Sequence, residues 1–317
     1  MIATTRPLSI AVAIPTRNRC ALLAQTLDRL TTVTIPPMVD WEVLVVANDC
    51  TDQTVAVAKQ YADRLPLRVI EESEPGASVA RNRALRESSS EYIIFTDDDV
   101  LADRGWIESF VAAARRFPEA AAFGGRIDPW FPTQPEEDIL AAFPTLRIGF
   151  CAIDHPQDEG PLPRGAHIYS ANIAFRRAAL GDLRFDATLG PAPTRVGGCF
   201  EEVAFVNALY QRGATVIWVP TMAVAHYVDP SRMTVPYLLE LYKVRARLET
   251  RMRGGPMGAQ AFGIPRWLVR AWLESKMRSL YATVIGQRRR ALNFARICAE
   301  LEGIMLECRQ IHREAHG

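Results

Sequence analysis

The sequence predicts an α/β fold: a mostly parallel central sheet with helices on both faces, plus a C-terminal helical extension. Three observations carry this expectation. Over the first 125 residues, short apolar runs alternate with helical patterns, as in sheets built from βαβ units. Polar clusters follow three of those runs directly, where open parallel sheets bind ligands. From Val235 onward the apolar period is helical.

Residues 8–14 read as the first strand, and Leu23, Leu27 and Leu30 then recur at helical spacing. Strand 42–47 and helix 54–64 follow, the helix carrying Val55, Ala58 and Ala62 on one stripe. Strand 67–70, helix 78–87, strand 92–96 and helix 105–117 complete the alternation. Residues 127–165 hold several prolines and Glu136-Glu137, and read as a long irregular segment. Strand 170–175 comes next, then a Gly/Pro-rich loop at 190–198, a helix at 201–212 and short strands at 215–219 and 223–226. Tyr237, Leu238, Leu241, Val244 and Leu248 then mark a helix, which breaks at 254–265. Beyond the break, Trp267, Leu268, Trp272, Leu280 and Tyr281 with nearby arginines suggest an amphipathic face. Three segments are expected: 1–125, 126–234 and 235–317.

At 317 residues, 49% hydrophobic and 23% charged, the composition excludes a disordered chain. No apolar run reaches the roughly 20 residues that span a bilayer. The first residues lack an apolar signal core, so a cytoplasmic location is expected. Six scattered cysteines show neither disulfide nor zinc spacing. The net charge of +1 conceals an asymmetry: residues 231–317 carry 16 Lys and Arg against 7 Asp and Glu. That basic segment suits an anionic lipid surface or a phosphorylated acceptor, or simply a solvated helix face.

The most telling motif is Thr96-Asp97-Asp98-Asp99-Val100 after the apolar run Tyr92-Ile93-Ile94-Phe95. Three adjacent carboxylates at a buried strand end repel one another, and a divalent metal with oxygen ligands offsets that cost. Pro15 ends the first strand, and Thr16 and Arg17 offer polar groups at the same edge. Asn48 ends the second strand with both a donor and an acceptor, as uracil or thymine recognition requires. Arg81, early on its helix, suits either a ribose or diphosphate contact or an anchor for the carboxylates.

Taken in order, several motifs resemble glycosyltransferase family 2. They are Val12-Ala13-Ile14-Pro15-Thr16-Arg17-Asn18-Arg19, Asn48-Asp49, Pro75-Gly76-Ala77-Ser78, Asp97-Asp98-Asp99, Ser170-Ala171-Asn172, Glu201-Glu202 and Ala223-Val224-Ala225-His226. The resemblance covers roughly residues 8–250 and implies a Rossmann-like GT-A fold and an inverting, metal-dependent transfer from a nucleotide sugar. By the family's DXD motif, Asp99 is the metal ligand, and Asp97 and Asp98 bind ribose or metal-bound water. Glu202 takes the position of the catalytic base, where the family usually has Asp. His226 matches a histidine near the metal, while Asn172, Arg176 and Glu201 fall to the acceptor or diphosphate side. Ala47 replaces the first acid of the family's usual pair, which leaves the base open.

The resemblance assigns 1–125 to nucleotide-sugar binding, 126–234 to the acceptor and catalysis, and 235–317 to a helical extension. The cofactor is Mn or Mg. The donor is of UDP, dTDP or GDP type, and the acceptor is a carbohydrate, a lipid-linked molecule or a small molecule. No nucleic-acid partner is expected. The basic helices leave open peripheral contact at the inner membrane face, a homo-oligomer or a plain helical layer. The alternatives are a sugar-phosphate nucleotidyltransferase and a non-catalytic nucleotide-sugar-binding subunit.

Overall fold

The computed structural model describes residues 7–189, 201–255, 258 and 260–316; the expected glycine-rich loop 190–198 lies outside the described residues. The chain begins with β1 (Leu8–Thr16), α1 (Cys20–Leu30), β2 (Val39–Asn48), α2 (Thr54–Lys59), β3 (Leu67–Glu72) and α3 (Ala77–Glu87). There follow β4 (Tyr92–Phe95), β5 (Val100–Ala102), α4 (Trp106–Arg116), β6 (Ala122–Trp130) and α5 (Glu137–Leu146). Next are β7 (Gly160–Pro161), β8 (Ile173–Arg176), α6 (Arg177–Leu180), α7 (Glu201–Gln211) and β9 (Val216–Tyr227). The chain closes with α8 (Val235–Arg253), the hairpin β10 (Gln260–Ala261) and β11 (Ile264–Pro265), α9 (Arg266–Val284) and α10 (Arg288–His316).

Two units form. The first, Met1–Trp130 with Cys151–Tyr227, is built on a sheet of order β3-β2-β1-β4-β8-β6-β9-β5, with β7 beside β9. β1, β2, β3, β4, β6 and β9 run one way, whereas β5, β7 and β8 oppose them. Every residue of β4 is buried, which explains its unbroken apolar sequence: a strand covered on both faces has no side turned to solvent. The second unit, Phe131–Phe150 with Val228–Gly317, packs Ile139, Ala142, Leu146 and Phe150 around Leu238, Tyr242 and Leu292. Residues 131–150, expected within the 126–234 segment, therefore join the C-terminal helices, because α5 carries an apolar stripe that needs a helical partner.

Two expected elements take a different form. The short strands 215–219 and 223–226 are one strand, β9, and Pro220 sits where its pairing with β6 shifts register. A bulge absorbs the missing N–H that would otherwise end the strand. The strand expected at 170–175 begins as a 3₁₀ turn, Ser170–Asn172, before β8.

Gly125 makes that irregularity possible. A Cβ there would lie 1.9 Å from the Met222 carbonyl oxygen and 2.4 Å from Asn172 Nδ2. Gly125→Ala is therefore expected to destabilise the protein by about 1–3 kcal/mol, because backbone rather than a flexible side chain must move. A thermal melt matching wild type would show that β9 yields there without cost.

Candidate active site

β1 and β4 are parallel with Ala13 opposite Phe95, so Thr16 and the residues after Phe95 emerge at one edge of the sheet. Thr96 is pinned there: its N–H donates to Ala13 O at 3.1 Å and its hydroxyl to Ala171 O at 2.9 Å. The chain then crosses to β9, where Val100 pairs with His226 and the Tyr227 N–H donates to Asp99 O at 2.9 Å. That crossing brings His226, more than 120 positions along the chain, beside the carboxylates.

His226 Nε2 lies 3.3 Å from Asp99 Oδ1 and 3.8 Å from Asp97 Oδ2. Asp97, Asp99 and His226 offer one ligating atom each within 4.8 Å of one another. Asp99 Oδ1 is buried with no hydrogen-bond partner among the described residues. A buried, orphaned carboxylate oxygen facing a second carboxylate and an imidazole fits a divalent cation of the Mn or Mg type. Asp97 thus joins the candidate metal ligands, whereas the family resemblance implied a contact to ribose or metal-bound water, because the turn after β4 aims alternate carboxylates the same way.

Asp98 points elsewhere. It accepts from the Thr16 hydroxyl at 2.7 Å and from Arg19 Nη1 at 3.0 Å. Arg19 Nη1 also donates to Asp99 Oδ2 at 2.7 Å. Burial and the neighbouring Asp99 push Asp98 up to about 6, with Arg19 opposing. Burial likewise raises Asp97, with Arg81 working against it and Asp99 adding to it. Arg19 was missed in the sequence, although a cation closing a strand-end turn beside three acids is the expected counter-charge. Burial disfavours its charge, but Asp98 and Asp99 outweigh that and raise its pKa.

Arg81 is 5% exposed and joins two clusters. Its Nη1 donates to Glu201 Oε1 at 2.6 Å and its Nη2 to Ser170 Oγ at 2.8 Å, with Asp97 Oδ1 at 3.5 Å. Of its two possible roles, this is the anchor for the carboxylates. Glu202, beside Glu201 at the start of α7, is buried and pushed up to about 8 by burial first and then by Glu201, with Arg81 opposing.

Several expected site residues are spent elsewhere. Asn48 Nδ2 donates to Glu74 O at 2.6 Å and its Oδ1 accepts from Gly76 N–H at 2.8 Å, so its amide shapes the 72–76 loop rather than presenting to a base. Asn172 is fully buried: its Nδ2 donates to Met222 O at 2.6 Å and its Oδ1 accepts from Trp106 Nε1 at 2.9 Å. It ties β9 to α4, with its amide committed inside the fold. Arg176 pairs with Tyr92 at the opposite end of β4 from the carboxylates, and its guanidinium donates to Ala120 O and Glu119 O. Thr16 keeps its place at the site, but its hydroxyl is committed to Asp98. Pro15 lies within β1, and Arg17 forms an exposed pair with Asp49 at 2.7 Å.

Residues 11–180 match the family model described as Glycosyl transferase family 2. The chain belongs to glycosyltransferase family 2. Validoxylamine A glucosyltransferase of Streptomyces hygroscopicus subsp. limoneus is 38% identical over 113 residues, 35% of this chain and 25% of that protein. The chain thus spans only about a quarter of that relative's length. The succinoglycan biosynthesis protein ExoM of Rhizobium meliloti is 26% identical over 224 residues, 68% of this chain and 66% of that protein. Among solved structures, TarS 1–349 of S. aureus superposes with a TM-score of 0.54 at 17% identity, covering 98% of this chain and 92% of that one. The mannosyltransferase PcManGT of Pyrobaculum calidifontis, in complex with GDP-Man and Mn2+, gives 0.51 at 22% identity, covering 80% and 66%. The shared architecture is the GT-A fold. In this family 2 chain the acidic run divides: Asp97 and Asp99 face His226, whereas Asp98 serves Thr16 and Arg19.

Proposed function

We propose that the protein transfers a glycosyl group from a nucleoside diphosphate sugar to an acceptor hydroxyl, with inversion at the anomeric carbon. Residues 1–125 supply most of the donor side and 126–234 the base. The observation that carries this is Arg81, whose guanidinium reaches both Asp97 and Glu201. The candidate metal ligands and the Glu201-Glu202 pair therefore belong to one site. The validoxylamine A glucosyltransferase relative supports sugar transfer, and a TarS structure with UDP-GlcNAc and the GDP-Man complex of PcManGT support a nucleotide-sugar donor.

Asp97, Asp99 and His226 would hold a divalent cation, and Arg19 fixes Asp99 through Oδ2, leaving Oδ1 toward His226. A bound Mn or Mg ion supplies Lewis-acid stabilisation to the departing diphosphate. Arg81 engages Glu201, so Glu202 is the carboxylate of the pair outside that ion pair. Its raised pKa matches a general base that accepts the acceptor's proton near neutral pH, opposite the leaving group.

A thermal-shift panel of UDP, dTDP and GDP sugars, each with and without Mn2+, tests this reading. One base class is expected to raise the melting temperature by several degrees, and only with the cation, since ligand at about 100 Kd adds about 2.7 kcal/mol. No shift with any of the three would end the proposal.

A further inference from the structure

The geometry points to a second working surface in the helical unit: the outer face of α9 docks onto an anionic lipid surface. Val269, Leu273, Met277, Leu280 and Val284 recur every three or four residues over four turns, so they form one stripe. All five are exposed, from 41% at Val269 to 77% at Val284. The helix buries its opposite face instead, through Leu268 and Ala282. Contiguous apolar surface of this kind, left open to water, marks an interaction site.

The charges flanking the stripe select the partner. Between Arg266 and Arg290 the chain carries seven Lys and Arg against the single acid Glu274. Glu274 is itself paired, to Arg270 at 2.9 Å. Lys276 borders the stripe on one side and Arg270 on the other, and Arg288-Arg289-Arg290 follow just beyond its C-terminal end. An apolar stripe between basic flanks is the pattern of a helix lying in a membrane interface, its side chains among acyl chains and its cations at anionic headgroups. Among the described residues no helix is long and apolar enough to cross a membrane, so α9 would lie on the surface. A second copy of the chain is the weaker occupant, because pairing two such faces sets Arg270 and Lys276 against like charges.

The test is co-sedimentation of the full chain with vesicles of phosphatidylcholine alone or with about a third phosphatidylglycerol. Binding is expected only to the anionic vesicles, and it should weaken as salt rises from about 0.1 to 1 M, where the Debye length falls from about 10 to 3 Å. Leu273→Glu with Leu280→Glu, and separately Arg289→Glu with Arg290→Glu, should each cut binding by about tenfold or more. All four positions are exposed, so the melting temperature should hold and confirm folding. Absence of binding to anionic vesicles overturns the inference, as does binding that the Leu273/Leu280 variant leaves unchanged. A dimer in light scattering that this variant converts to monomer would instead make the face a contact between copies, and would also overturn it. None of these readouts uses donor or metal, so they stand or fall apart from the proposed transfer.

Discussion

Glu202→Gln is expected to cut turnover by about 10²–10⁴-fold while leaving donor affinity unchanged. The amide has the size of the carboxylate but cannot take a proton. Arg81 keeps its contacts to Glu201, Ser170 and Asp97, so the site should keep its shape. The pH profile gives a second readout. Burial and Glu201 hold Glu202 up to about 8, so wild-type kcat/KM should climb with pH across a limb well above the ordinary carboxylate range and then level. A bound cation would draw the limb below 8, and the residual activity of the Gln variant should lack it. Near-wild-type turnover in that variant would remove Glu202 from the mechanism.

The same substitution has an opposite effect on stability. An acid whose pKa is higher folded than unfolded holds a proton in the native state that the unfolded chain releases, here between about 4.5 and 8. Wild-type stability therefore falls as pH rises through that window. Gln does not titrate and escapes the loss. Without cation, Glu202→Gln should be more stable than wild type at pH values above about 8, by at most a few kcal/mol in denaturant unfolding, and match it near pH 4. A carboxylate kept in place at a cost to the fold is what a functional group, rather than a structural one, would show.

The parallel half of the sheet was legible because β1, β2 and β4 each hold a continuous buried apolar run ending in polar residues, and burial on both faces demands that pattern. The same logic misplaced Arg176. It follows a strand, but β8 runs antiparallel to β4, so its far end lies at the edge opposite the carboxylates. Strand direction depends on which neighbours pair, and local sequence does not carry that. Asn48 and Asn172 stand at the expected places, yet backbone takes both ends of the Asn48 amide, and the Met222 carbonyl and the Trp106 indole take those of Asn172. An amide in a strand-end cluster serves ligand or loop equally well until the surrounding carbonyls are placed. The division of labour within the acidic run has the same origin, since the turn after Phe95 sends Asp98 toward Thr16 and its neighbours toward His226. Arg19 could have been anticipated from charge balance, because three carboxylates at one edge need a cation within reach.

Asp99→Ala should abolish the cation-dependent part of donor binding, lowering the affinity for UDP with Mn2+ by about 100-fold or more. Losing a group that only orients a ligand already costs about 10–100-fold in metal affinity, and Asp99 is placed to be a ligand itself. One of its oxygens faces His226 at 3.3 Å and the other accepts from Arg19 at 2.7 Å, so no neighbour can replace both functions. The fold should survive the change. Asp99 raises the pKa of Asp98 through like-charge repulsion, and removing it relieves that strain while Arg19 keeps Asp98 at 3.0 Å. Arg19→Gln is the milder companion: it leaves the ligand atoms but frees Asp99 to turn, and should weaken Mn2+ by about 10–100-fold. Calorimetric titration of UDP with and without Mn2+ separates these cases. A titration of Asp99→Ala that overlays wild type would place the cation, and with it the diphosphate, away from the end of β4.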